Sequence, residues 1–156
     1  MFVLLGALLP HAACRAGDAP SSPPATESRP PENRFATPIR LFASVEEAWA
    51  ASDADRVASL VDTTGVKIAI KPGSPLAAAL TRGAALFLLH DQLRMVQTRS
   101  FQMARFQYDP KNRVCRGTAL WTGDWGGRQG VRTVRVALTA KPSSAGWLLT
   151  EIRAED

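Results

Sequence analysis

Cysteine, histidine and tyrosine are all scarce in this 156-residue chain, and each scarcity removes a class of chemistry. Cys14 and Cys115 are too few for a disulfide framework or a four-cysteine metal site. His11 and His90 are the only histidines, and His11 falls in a leader-like segment, which excludes a two-histidine metal site in the mature chain. Tyr108 is the single tyrosine. There is no Gly-x-Ser-x-Gly elbow for a nucleophilic serine. Gly126-Gly127-Arg128-Gln129-Gly130 lacks the Lys-Ser/Thr and the following helix of a phosphate-binding loop, so it reads as a hairpin tip. No cofactor and no metal are therefore expected. The chain also lacks a Lys/Arg run and any recognisable nucleic-acid module, so nucleic acid is a disfavoured partner despite the net charge of +5. That charge is concentrated between Arg94 and Arg135, where nine basic residues face only Asp109 and Asp124. An electrostatic surface would require Arg99, Arg105, Arg113, Arg116, Arg132 and Arg135 on one face.

The longest apolar run, residues 1–9, is too short to cross a bilayer as a helix. Followed by Pro10 and Ala12-Ala13, it reads as the apolar part of a secretory signal over residues 1–16, although nothing basic precedes it except the amino terminus. His11-Ala12-Ala13-Cys14 resembles a bacterial lipoprotein signal with Cys14 as the lipidated residue, except that His11 stands where an apolar residue is expected. Cleavage near Ala13 or Ala16 is the alternative, and a buried N-terminal element a third. Residues 17–36 shift to Pro, Ser, Ala and charge, with Pro20, Pro23, Pro24, Pro30 and Pro31. Such a composition buries too little apolar surface to offset ordering entropy, and predicts a disordered tether. The expected location is the bacterial cell envelope, periplasmic or anchored through Cys14.

The folded domain is expected over residues 37–156. Thr37-Pro38 supplies an N-cap and a favoured first helical residue, and Ile39, Phe42, Val45 and Trp49 recur at helical spacing. Ser52-Asp53-Ala54-Asp55 has the form of a capping box that restarts the helix, with Val57, Leu60 and Val61 buried. Val66, Ile68 and Ile70 alternate as a short strand stopped by Pro72-Gly73. Ser74 to Leu80 reads either as a helical turn or as a short strand. From Thr81, the pattern Leu86, Leu89, His90, Leu93, Val96 marks a second substantial helix. Four alternating stretches follow, at about 98–108, 113–124, 132–141 and 147–154, joined at Asp109-Pro110-Lys111-Asn112, 125–130 and 142–146. In the first of them Phe101 and Met103 share one parity and Phe106 and Tyr108 the other. A bulge near Ala104-Arg105 would bring all four to one face.

This order of helix pair, strand, helix and long antiparallel meander resembles the nuclear transport factor 2-like superfamily, also called ketosteroid isomerase-like or cystatin-like, and more narrowly its small exported bacterial branch of undefined function. The resemblance rests on the helix ending in Trp49-Ala50-Ala51-Ser52-Asp53-Ala54-Asp55, on the Leu89 to Phe101 passage from helix to strand, and on Leu149-Thr150-Glu151-Ile152-Arg153 as the closing strand. It implies an α+β fold in which N-terminal helices pack on a strongly bent antiparallel sheet and leave a cone-shaped cavity. It also implies a homodimer through the sheet, and uses that range from isomerase or dehydratase to scaffold.

An isomerase needs a carboxylate base in an apolar pocket and a donor for the oxyanion. The candidates for that role are His90 with Tyr108 or Asp91. His90 falls within the apolar stripe, where it is either a pocket acid/base or a stripe-edge residue bonded to backbone or water. Asp91 is one position off the stripe and is expected to face solvent. Trp121, Trp125 and Trp147 could line a ligand pocket, with Tyr108 and His90, or fill the core or a dimer face. Cys115 reads as a small buried strand residue. The leading expectation is a non-catalytic exported domain that holds a partner protein or a small apolar ligand, and the alternative is a small isomerase or dehydratase built on His90.

Overall fold

The structure, a computed structural model, describes residues 36–76 and 78–155. The expected signal at 1–16, the lipid-attachment residue Cys14 and nearly all of the 17–36 tether lie outside these residues.

Helix α1 (Pro38–Ala50) starts where Thr37 Oγ1 accepts the Arg40 backbone N–H at 3.4 Å, satisfying one of the unpaired donors of the first turn. It buries Leu41, Phe42, Val45, Ala48 and Trp49. The apolar face is rotated from the expected one, because Leu41 takes the inward position and Ile39, in the first turn, is 65% exposed. The helix stops at Ser52, whose φ of 55° is left-handed. Asp53, not Ser52, then caps α2 (Ala54–Ser59), accepting the Arg56 N–H at 2.9 Å, while the Arg56 guanidinium returns to Glu47. Val57, Leu60 and Val61 are buried as expected.

After α2 the chain runs beside the last strand of the domain before forming β1 (Lys67–Ala69). Among its described residues, the segment after Pro72-Gly73 forms neither a helical turn nor a strand, and Leu80 alone pairs, in a single antiparallel bridge with Val66. Helix α3 (Arg82–Met95) is capped by Thr81, which accepts the Ala84 N–H, and buries Ala85, Leu89 and Leu93 at four-residue spacing. Val96 already has extended backbone, so α3 passes directly into β2 (Gln97–Asp109). Strands β3 (Val114–Asp124), β4 (Val131–Ser143) and β5 (Gly146–Glu155) continue the meander, and Pro142, Ser143 and Gly146, expected in the last loop, belong to strands.

The sheet order is β1-β5-β4-β3-β2. All pairs of the meander are antiparallel, but β1 joins β5 in parallel, Ile68 opposite Ile152, so the expected antiparallel sheet is a curved mixed one. Sequence periodicity places β1's faces and is silent about its partner.

Curvature comes from bulges. In β2 the register against β3 shifts between Met103 and Arg105, and again between Thr98 and Ser100. The shift at Ala104 puts Phe101, Met103, Phe106 and Tyr108 opposite Trp121, Ala119, Gly117 and Cys115, all on the concave face. The parity conflict in the sequence is thus a bulge. Glu46 of α1 reaches the same spot, and its Oε2 accepts the Met103 backbone N–H at 2.9 Å.

Helices cover the concave face and fill it. Trp49 stacks on Phe101 at 4.8 Å between ring centroids and meets Trp121 edge-on at 5.3 Å. Trp121 Nε1 donates to Thr98 Oγ1 at 3.1 Å. Each fully buried side chain of this kind contributes about 1.5–3 kcal/mol. Two glycines set the closest approaches: a Cβ on Gly123 would stand 2.5 Å from Val96 Cγ1, and one on Gly117 would stand 2.6 Å from Met103 Cε. Where a conical cavity was expected, the space between α1 and the sheet is therefore packed. Among the described residues, every buried residue is apolar.

Candidate ligand cleft at the α3 end of the sheet

Because the middle of the concave side is filled, open space lies at its margins. One cleft of about 400 Å³ opens where α3 ends, lined by Lys71, Pro72, Gln92, Met95, Val96, Trp125, Gln129 and Arg132. Its wall is built by three local devices. The last turn of α3 presents Gln92 and Met95, and Val96 is buried as the chain turns extended. The turn after β1 brings in Lys71 and Pro72. The β3–β4 hairpin supplies the rest: Trp125 N–H donates to Gly130 O at 3.0 Å, closing a tip in which Gly126 and Gly127 are both left-handed.

Arg132 lies on β4 with the parity of Val134, Val136 and Leu138, which are buried. Strand alternation therefore turns its side chain to the concave face, where the guanidinium carbon sits 4.6 Å from the Trp125 ring centroid. Trp125 in turn packs on Trp121 at 4.8 Å, tying the cleft wall to the core. Trp125 Nε1 and Arg132 Nε are buried and have no hydrogen-bond partner. Among the described residues Arg132 makes no ion pair within 4 Å.

The residues singled out by sequence are dispersed. His90 is exposed on α3 beside Asp91, in an open groove with Asp55, Gly83, Leu86, Phe87 and Arg94. Tyr108 is 52% exposed and touches Trp147 edge-on at 6.0 Å. Neither His90 nor Asp91 shares a described cleft with Tyr108. The three tryptophans also part: Trp121 is core, Trp125 lines the α3-end cleft, and Trp147 stands with Tyr108 toward the opposite end of β3, about 30 Å away along an extended strand. Of the six arginines considered for an electrostatic face, Arg105, Arg116 and Arg135 lie on the convex side while Arg132 lies on the concave side. Cys115 is buried against the sheet, and burial raises its thiol pKa.

Sequence reasoning missed Lys71 and Gln92, and it named Arg132 only for an electrostatic face and not for a cleft. For Arg132 the signal was present, since it shares parity with the valines of its strand. Nothing local marks Lys71 or Gln92, because the cleft joins three segments distant in sequence. Among the described residues no helix is long and apolar enough to cross a membrane, and no group of His, Cys, Asp and Glu is placed to hold a metal ion.

No family model matches the chain, and no curated protein matches it in sequence. Solved structures do match. A DUF4783 family protein from Bacteroides ovatus superimposes with a TM-score of 0.60 at 11% identity, covering 73% of this chain and 93% of that one. A candidate dehydratase of the NTF2-like family from Streptomyces avermitilis gives 0.54 at 17% identity, covering 74% and 89%. A protein with a ketosteroid isomerase-like fold from Catenulispora acidiphila, in complex with trimethylamine, gives 0.57 at 10% identity, covering 73% and 82%. At such identities the likeness is one of backbone, and it agrees with the helix-covered, bulged meander described above: the chain has the nuclear transport factor 2-like α+β fold.

Proposed function

We propose that this chain is an exported, non-catalytic binding domain that holds a small ligand in the cleft between Trp125, Arg132 and the end of α3. One observation carries the reading: the concave side is divided into an apolar, packed middle and a margin where an aromatic wall meets polar and cationic groups. The residues that an isomerase or dehydratase would recruit stand outside that margin, with His90 on an exposed helix face and Tyr108 beside Trp147. Export is supported by the leader-like run at residues 1–9 and the proline-rich stretch after it, which would display the domain away from a membrane.

The test is a titration of the isotope-labelled full chain with a library of small ligands, followed by NMR. Shifts are expected at Gln92, Trp125 and Arg132. Turnover of a bound compound by isomerisation or dehydration, lost in His90→Ala, would overturn the non-catalytic part of the reading.

A further inference from the structure

We infer that the cleft recognises an oxyanion, a carboxylate or a phosphate, borne on an apolar body. The inference rests on the reading of this cleft as the ligand site and names the class of ligand. Of the three buried side-chain donors without a partner among the described residues, the Trp49 indole N–H lies in the core, and the other two, the Trp125 indole N–H and the Arg132 Nε–H, belong to residues that line the cleft and can only donate. A buried donor without an acceptor bears the full desolvation cost of the group, so two such donors in one wall mark a place for an acceptor.

Charge narrows the acceptor. Lys71 and Arg132 line the cleft, and no aspartate or glutamate does. The Arg132 charge lies over the Trp125 ring rather than against a carboxylate, which holds the guanidinium in place without neutralising it. A planar, always charged guanidinium beside an indole N–H suits an oxyanion, whose several lone pairs accept from both at once. Gln92 and Gln129 can donate to the same head or accept from its substituents. The remaining lining, Val96, Met95, Pro72 and the Trp125 ring, is apolar and suits a hydrocarbon or aromatic body.

The full chain is titrated with phenylacetate, phenyl phosphate and the uncharged phenylacetamide, while the tryptophan indole and arginine Nε resonances are followed by NMR. At least one anion should shift Trp125 Nε1–H and Arg132 Nε–H and bind about tenfold or more tightly than the amide, with affinity falling as salt is raised. Comparing the two anions separates a carboxylate head from a phosphate one. Arg132→Met, which keeps an apolar stem on Trp125, should weaken anion binding about tenfold and amide binding by clearly less, because the amide loses a neutral hydrogen bond and the anion a charge-assisted one. Lys71→Met, at an exposed position that the fold does not depend on, should weaken it about threefold. Equal binding of acid and amide, or unchanged anion affinity in both variants, would overturn the oxyanion class and leave the cleft as a ligand site. If none of the three probes moves a cleft resonance, the oxyanion class and the cleft reading fall together.

Discussion

The two ends of the concave face carry the same kind of residue and meet different fates. At the α3 end Trp121 is fully buried, and Trp125 is wedged between it and Arg132. At the opposite end Phe106 and Tyr108 have the same inward parity, set by the bulge at Ala104, yet they stay 46% and 52% exposed. Phe42, from the early turns of α1, meets Phe106 at 5.5 Å between ring centroids, and Tyr108 has Trp147 beside it. Inward parity is thus a condition for burial and not its cause. Burial follows where a helix lands, and a cleft forms where cover stops against polar groups.

The sharpest test of this contrast is a pair of truncations. Trp121→Ala should destabilise by about 3–5 kcal/mol, because it opens a cavity among Trp49, Phe101 and Trp125. Trp147→Ala, at the thinly covered end, should cost about 1 kcal/mol or less, the scale of a partly exposed packing loss. Urea denaturation measures both, and equal losses would break the comparison.

A smaller effect is expected from filling the helix-to-sheet approach. Gly123→Ala should cost about 1–3 kcal/mol, since the new Cβ meets the stiff branched side chain of Val96. Gly117→Ala should cost less where Met103 can swing its end away, with Phe42 as the next atom met, at 3.2 Å. The order of the two melting temperatures checks this.

Next comes the strut between α1 and the bulge. Glu46→Ala should cost about 1–2 kcal/mol by leaving the Met103 N–H without its acceptor, whereas Glu46→Gln keeps an acceptor oxygen and should lose less than half of that. Faster amide exchange at Met103 in Glu46→Ala alone would tie the loss to the bulge.

The smallest effect concerns the turn at the exposed end. Asp109 accepts from the Asn112 side chain and backbone, and these bonds hold its carboxyl pKa below the ordinary aspartate value. A depressed carboxyl contributes stability above its unfolded pKa, and that contribution is lost as pH falls through the folded one. The stability difference between the wild-type chain and Asp109→Ala should therefore be present at neutral pH and shrink on acidification below the ordinary aspartate range. A difference that instead grows on acidification would contradict the turn geometry.

Much of the architecture was legible because it is local. The caps at Thr37 and Thr81, the inward set Val134, Val136 and Leu138, and the bulge at Ala104 each follow from spacing within a few residues. The exposed Ile39 and the parallel pairing of β1 did not, since each depends on which distant segment arrives opposite. The site was less legible still. Trp125 was recognised, but it was grouped with Trp121 and Trp147, which the fold sends to the core and to the far end.

By itself the sequence determined most of the elements, the faces of the meander strands and the bend of the meander, because periodicity, capping and parity act through neighbouring backbone geometry. The tertiary structure alone decided that the middle of the concave side, under α1, is packed and that open space lies at its α3 end. It likewise decided that Lys71, Gln92, Trp125 and Arg132 share one cleft while His90 and Tyr108 share none. Those outcomes depend on the volume left between helix and sheet, and on three chain segments meeting in space, neither of which is written in the spacing of residues along a strand or a helix.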